Sequence, residues 1–270
     1  MSLSQIEKDI FQSYVDCFSL GEGICGYQYV REQGLVLLLS EFSASFINGP
    51  LYFEDKGLSL AQLEDKVLSV HQRLVENGKP YLWRFGPHNQ QADAIRDILS
   101  RLGATASDPM TTAYSELGER LLGSFQFQLP VEFEDVGMDN LDDWFVVFKE
   151  AFELSDELLQ FFLEFEQKSQ GQPNRPYRSY LGRHLGEPVS IVSTVTNETS
   201  LGALFNIGSR PSVRGKSFGS QASVYGCKKL YESNKAYVGQ LASSMGLQAY
   251  TRLGARAGNQ YKNMTWSPVS

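Results

Sequence analysis

The segment with the most chemical content runs Phe205-Asn206-Ile207-Gly208-Ser209-Arg210-Pro211-Ser212-Val213-Arg214-Gly215-Lys216-Ser217-Phe218-Gly219-Ser220. An apolar strand ends, Pro211 makes a short turn, and a glycine-containing loop opens a helix. The first N–H groups of a helix have no partner within it. Together with the helix dipole they form an anion site suited to a pyrophosphate. Gly215 and Gly219 let the backbone approach phosphate oxygens with no Cβ in the way, and Arg214 and Lys216 add positive charge. An ordinary strand-to-helix turn with surface charges is the competing reading, because short glycine motifs recur by chance. A triphosphate-binding P-loop is excluded. Gly215-Lys216-Ser217 imitates its end, but the glycine required five residues before the Gly-Lys pair is Arg210, and Gly208 is at the wrong spacing.

A second segment, Leu241-Ala242-Ser243-Ser244-Met245-Gly246-Leu247-Gln248-Ala249-Tyr250-Thr251-Arg252-Leu253-Gly254-Ala255, follows at a fixed distance. A strand ends, a short helix starts near Ser243 or Ser244, Tyr250 and Leu253 lie on adjacent turns, and Gly254 ends the helix. Helical spacing alone makes Tyr250 a packed aromatic. With both segments in view, the chain from about Val131 to Trp266 resembles the GNAT superfamily of N-acetyltransferases. The family shows an Arg/Gln-x-x-Gly-x-Gly/Ala loop, then a strand, then a short helix ending Tyr-x-x-Leu-Gly-Phe. Arg214 to Gly219 and Tyr250 to Ala255 match those blocks in order and spacing. Ile207 to Pro211 matches the approach to the loop, with Ser209 in the place of a Thr. Two positions depart: Ser217 replaces the loop's middle glycine, and Ala255 replaces the terminal Phe. If position 217 needs a positive φ, serine there costs on the order of 1 kcal/mol.

The resemblance implies direct transfer of an acetyl group from acetyl-CoA, the cosubstrate, to an amine on a small molecule or a protein. Ile207, Gly208 and Ser209 would pair with the pantetheine arm as an added strand does. Arg214, Gly215, Lys216, Ser217, Phe218, Gly219 and Ser220 would hold the pyrophosphate. Ser243 stands where the family often has an Asn touching the cofactor. Tyr250 would protonate the departing thiolate, which a phenol of pKa near 10 can do. No base for the incoming amine is identified. Glu198 and His184 are candidates, with solvated turn residues as the competing reading. Asp142 with Asp143, and Glu164 with Glu166, read as solvated helix faces. A CoA-binding regulatory or interaction protein without turnover is the alternative function, and a longer-chain acyl donor is a further one.

These groups need a scaffold. In the second half the patterns predict a strand at Val131–Asp135, then helices at Leu141–Phe152 and Asp156–Gln167. Asp139 or Asn140 would cap the first helix and Ser155 the second. After a polar loop at Gly171–Arg175, Tyr177–Leu181 and Val189–Thr196 form an antiparallel pair around a turn at His184–Pro188. Leu201–Ser209, Ala236–Leu241 and Tyr261–Trp266 follow as strands, with helices at Phe218–Glu232 and Met245–Leu253 between them. In the first half, helices are expected at Ser4–Cys17, Ser59–Leu74 and Ala92–Leu102. Strands are expected at Leu35–Ser40, Tyr81–Phe85 and Met110–Leu117, and a turn at Asn48-Gly49-Pro50. Tyr81–Phe85, a loop and a helix ending Leu102-Gly103-Ala104 faintly echo the second half. The first half is therefore either a degenerate GNAT-like domain or an unrelated α/β cap.

The expected fold class is α+β: a GNAT-like mixed, mostly antiparallel sheet flanked by helices, preceded by a second α/β domain. The expected boundary lies in Ser124–Glu134, giving domains 1–128 and 129–270. The 270 residues carry 42% hydrophobic and 20% charged side chains, as soluble globular proteins do. The formal charge of −7 argues against a nucleic-acid groove and suits a cationic acceptor. No apolar run reaches transmembrane length and no secretion signal is visible, so a cytoplasmic protein without a membrane partner is expected. Cys17, Cys25 and Cys227 read as reduced thiols. With only His71, His88 and His184 besides, no metal site is expected.

Overall fold

The computed structural model describes residues 1–123, 125–172 and 175–268, apart from the Arg120 side chain. Ser124 of the expected boundary, and Pro173 and Asn174 of the expected polar loop, lie outside the described residues. In chain order the elements are α1 (Leu3–Ser19), β1 (Gln28–Glu32), β2 (Leu35–Leu39), β3 (Gly49–Phe53), α2 (Leu60–Glu76), β4 (Tyr81–Trp83) and α3 (Ala92–Arg101). Then come β5 (Thr105–Ala106), β6 (Met110–Glu116), α4 (Glu119–Leu122), β7 (Glu132–Asp135), α5 (Leu141–Phe152) and α6 (Asp156–Gln170). The last are β8 (Tyr177–His184), β9 (Glu187–Thr196), β10 (Leu201–Ser209), α7 (Phe218–Glu232), β11 (Tyr237–Ala242), α8 (Ser244–Arg252), β12 (Arg256–Tyr261) and β13 (Met264–Trp266). The fold is α+β with mixed, mostly antiparallel sheets.

The chain divides into two compact units that are not consecutive halves. One comprises Met1–Leu20 and Thr112–Gly258, the other Gly21–Thr111 and Asn259–Ser270. The chain thus crosses between units three times: after Leu20, inside β6 and inside β12.

The first unit is built on a seven-stranded sheet of order β12-β6-β11-β10-β9-β8-β7. The pairs from β7 to β10 are antiparallel, and β10 and β11 are parallel. A helix cover buries each face, as alternating apolar residues demand. Trp144, Val147 and Phe148 of α5 cover Leu181 and Ile191 on one side. Ala222 and Leu230 of α7 cover Val192, Leu204 and Val238 on the other. Ile10 of α1 packs with Leu201.

In the second unit β1-β2-β3 and β4-β13-β5 form two three-stranded sheets, and α2 and α3 pack over them around Leu37, Phe53, Val67, Trp83 and Ile95. Ser59 and Gln62 close a reciprocal capping box on α2, and Asn77-Gly78 ends it, as expected.

Three local expectations are corrected. Asn48-Gly49-Pro50 is no turn but the lead into edge strand β3. Asn48 is buried, its Oδ1 accepting from the Ser40 N–H at 2.7 Å and its Nδ2 donating to the Phe42 carbonyl at 3.0 Å. Gly49 takes φ +110°, and a Cβ there would lie 2.3 Å from the Leu82 carbonyl oxygen, so the glycine serves close strand approach. The turn expected over His184–Pro188 shrinks to Leu185-Gly186. Both have positive φ, as a two-residue hairpin needs, so His184, Glu187 and Pro188 belong to the strands. The last expected strand, Tyr261–Trp266, is two strands, β12 and β13, in different sheets.

Candidate functional site

The loop after β10 has the form its sequence implies. A 3-10 turn spans Pro211–Val213, Gly215 follows with φ +82°, and Ser217 sits at φ +63°, ψ +16° immediately before α7. Serine therefore does occupy a left-handed position that glycine fills at lower cost. The first α-helical bond runs from the Gln221 N–H to the Ser217 carbonyl at 2.9 Å. The N–H groups of Phe218, Gly219 and Ser220 precede that ladder, and among the described residues no side chain caps α7. Around Gly215 no heavy atom lies within 4 Å of where a Cβ would stand. Arg214 and Lys216 are exposed beside it, and Arg214 Nη2 donates to the Ala151 carbonyl at 3.2 Å. Open backbone donors, a helix dipole and two exposed cations can receive a polyanion.

One strand away the sheet opens. β10 pairs with β11 only from Leu201 to Ala203, yet on its other edge it stays paired with β9 as far as Ser209. Beyond Ala203 the β11-side edge of β10 pairs with no strand among the described residues, and this stretch contains Ile207, Gly208 and Ser209. The β9–β10 register shifts between Phe205 and Gly208, where Asn206 adopts φ +48°. Such a bulge redirects the strand and its side chains.

A cavity lies alongside, lined by Leu204 of β10, Gln240 of β11, Ser223 and Cys227 of α7 and Tyr250 of α8, among others. Burial, with Cys227 a smaller contributor, pushes the Tyr250 phenol up to about 12, so at neutral pH it holds its proton and can donate it. Burial likewise pushes the Cys227 thiol up to about 12, which keeps it an inert thiol. Gln240 is 6% exposed, and its Oε1 has no hydrogen-bond partner among the described residues. A buried amide oxygen left over in a cavity is a place for a ligand donor. Ser243 caps α8, its Oγ accepting from the Gly246 N–H at 3.3 Å. Its hydroxyl proton is not used by that cap.

The structure separates the remaining candidates. Glu198 is exposed in the turn that starts β10, at the opposite end of that strand from the loop. His184 Nδ1 is 2.8 Å from the Pro130 carbonyl, and its ring lies 5.1 Å from that of Phe218. Asp143 pairs with Arg183 at 2.6 Å on the surface. Glu166 is the correction. Read as part of a solvated face, it is 2% exposed and accepts a 2.6 Å hydrogen bond from Ser179 Oγ. Burial pushes its carboxyl up to about 7 against the lowering effect of Ser179, Tyr177 and Arg175. The available signal was its place on the inner face of α6, shared with Phe161, Phe165 and Ser169. Among the described residues no cluster of His, Cys, Asp and Glu is arranged to hold a metal, and no helix is long and apolar enough to cross a membrane.

No protein-family model matches the sequence, and no curated protein matches it. Solved structures do match in fold. A GCN5-related N-acetyltransferase from Kribbella flavida superposes with a TM-score of 0.71 at 14% identity, covering 98% of this chain and 96% of that one. A tandem GNAT protein from the clavulanic acid biosynthesis pathway gives 0.59 at 12% identity, over 98% and 97% of the two chains. A GCN5-related N-acetyltransferase from Sphaerobacter thermophilus gives 0.58 at 13% identity, over 88% and 82%. Across nearly its whole length the chain has the fold of these GNAT acetyltransferases.

Proposed function

We propose that the protein transfers an acetyl group from acetyl-CoA to an amine of a small molecule or a protein, by direct attack in a ternary complex. The observation that carries this reading is that three features adjoin β10: the α7 N-terminus that follows it without a side-chain cap, its open edge, and the cavity that Leu204 shares with the half-buried Tyr250. In this reading the amides of Phe218, Gly219 and Ser220 hold the pyrophosphate, helped by the left-handed turns at Gly215 and Ser217 and the charges of Arg214 and Lys216. The free edge at Ile207, Gly208 and Ser209 accepts the pantetheine arm as an added strand, and Ser243 donates its remaining proton. The unpartnered Gln240 Oε1 supports a ligand with an N–H or O–H group in this cavity. Acetyl-CoA supplies the acyl group already activated as a thioester. Tyr250 gives its proton to the sulfur as the carbon–sulfur bond breaks and the carbon–nitrogen bond forms, and the proton that the amine nitrogen sheds on becoming an amide returns to the Tyr250 phenolate. A raised phenol pKa suits that role, because the group stays protonated across the working range. The negative formal charge supports a cationic acceptor, and a cytoplasmic location belongs to the same reading.

Calorimetry with acetyl-CoA and free CoA tests the binding half. Release of free thiol in the presence of primary amines tests turnover. Tyr250→Phe is expected to lower kcat by about 10²–10⁴-fold with little change in acetyl-CoA affinity. A rate within a few-fold of the parent protein removes Tyr250 from the chemistry.

A further inference from the structure

Behind the β10 bulge lies a buried chain of polar side chains that the acyl transfer above leaves unused. Asn206 Nδ2 donates to Tyr177 OH at 2.8 Å, and Tyr177 OH donates to Ser193 Oγ at 2.9 Å. Ser193 Oγ and Ser179 Oγ are 2.8 Å apart, and Ser179 donates to Glu166 at 2.6 Å. Tyr177, Ser179, Ser193 and Glu166 are all buried, while Asn206 is only partly so. Each hydroxyl has a single proton to give. With Glu166 ionised, and so an acceptor only, every hydroxyl proton is directed toward the carboxylate. The Tyr177 oxygen must then accept, and the only donor Asn206 can offer it is its NH₂. The carbonyl Oδ1 of Asn206 is left for the partly exposed side.

We infer that Asn206 positions the acceptor amine at the β10 bulge, and that Glu166, which is buried away from any substrate, sets which end of the Asn206 carboxamide faces it. The inference rests on the acetyltransferase reading. Oδ1 accepts an N–H of the incoming amine and leaves the nitrogen lone pair for the thioester carbon. When Glu166 takes up a proton it becomes a donor to Ser179. The chain can then run the other way, Tyr177 donates to Asn206, and the carboxamide turns its NH₂ outward, where an amine N–H finds no acceptor. The titratable and charged groups facing Glu166 are Tyr177 on β8, Arg175 in the turn before β8 and the Cys17 thiol on α1. Tyr177 and Cys17 are held neutral by burial. Arg175, whose Nε is buried without a hydrogen-bond partner among the described residues, favours the ionised carboxylate. The bulge contributes to that placement: Asn206 takes the left-handed conformation that asparagine tolerates, at the point where the β9–β10 register shifts.

The test follows the Asn206 side-chain amide by NMR in protein labelled with ¹⁵N-asparagine, its resonance identified by loss in Asn206→Gly, which keeps the positive φ. In the parent protein this resonance is expected to shift with a midpoint near neutral pH. In Glu166→Gln, and separately in Tyr177→Phe, which breaks the chain but leaves the carboxylate, the shift should vanish. A resonance that is flat with pH in the parent protein, or that still titrates in Glu166→Gln, overturns the inference. With a polyamine, an amino sugar and a lysine peptide as acceptors, Asn206→Gly should raise the amine KM by roughly three- to tenfold and leave the acetyl-CoA Kd within about twofold, as loss of one hydrogen bond between neutral groups implies. An unchanged amine KM removes Asn206 from acceptor binding. Failure of acetyl-CoA to bind in calorimetry, with the amide resonance still titrating, would count against the transferase reading and not against the coupling of Glu166 to Asn206.

Discussion

A carboxyl group taken out of water prefers its neutral form, and Glu166 shows what that does to the protein around it. Its folded-state pKa of about 7 stands above the ordinary 4.5. Between those values the folded protein binds a proton that the unfolded chain does not. Stability therefore falls as pH rises through this window, and the penalty is complete above pH 7. For a fully buried group the span corresponds to on the order of 3 kcal/mol. The parent protein is expected to unfold at lower denaturant concentration at pH 8 than at pH 5.5. Glu166→Gln should level the two midpoints, because its amide stays neutral. Equal midpoints in the parent protein would mean that the carboxylate is ionised at no cost. The same burial raises the Tyr250 and Cys227 values too, but there it only preserves protons that neutral pH already leaves in place.

The elements that deliver the site are a strand that separates from its neighbour and a helix that begins without a cap. Ser217 is the weak joint between them. At φ +63° a Cβ is penalised by about 1 kcal/mol. Ser217→Gly is expected to raise the unfolding free energy by up to that amount and to leave acetyl-CoA affinity equal or better. Loss of affinity would show that the hydroxyl, rather than the backbone, contacts the ligand. Much of this element level is legible from the chain. β10, α5 and α7 have the bounds the pattern predicts, and Ser59, Ser155 and Ser243 cap their helices through their side chains. Asn140 does not cap α5; its Oδ1 accepts from the Gly137 N–H at 2.8 Å instead. What escapes is whatever depends on partners distant in sequence. β1 and β12 carry mostly polar, exposed residues and hold as strands through their neighbours. The burial of Glu166 depends on Ser179, thirteen residues away, and the β10–β11 opening on where pairing stops.

At the scale of the whole molecule, the ends of the chain belong to different units. The second unit, whose other part is Gly21–Thr111, takes its sheet centre from residues near the C-terminus, because β13 lies between β4 and β5. Met264 opposes Trp83, and Trp266 opposes Tyr81 and stacks on its ring with centroids 5.5 Å apart. His71 meets the edge of the Trp266 ring and lies 2.7 Å from the Tyr81 hydroxyl. Without β13, the three-residue β4 and two-residue β5 lose the strand that both pair with, and two unpaired strands of that length do not persist. Removal of residues 264–268 is therefore expected to abolish hydrogen-exchange protection at Tyr81–Trp83 and along the inner face of α2. Every residue assigned above to acetyl-CoA lies in the first unit, so acetyl-CoA binding should survive the truncation if that unit holds the ligand unaided. Protection at β4 that outlasts the truncation would show that the second unit does not depend on β13. Loss of binding with the first unit still folded would show that the cosubstrate needs more than the loop, the open edge and the Tyr250 cavity.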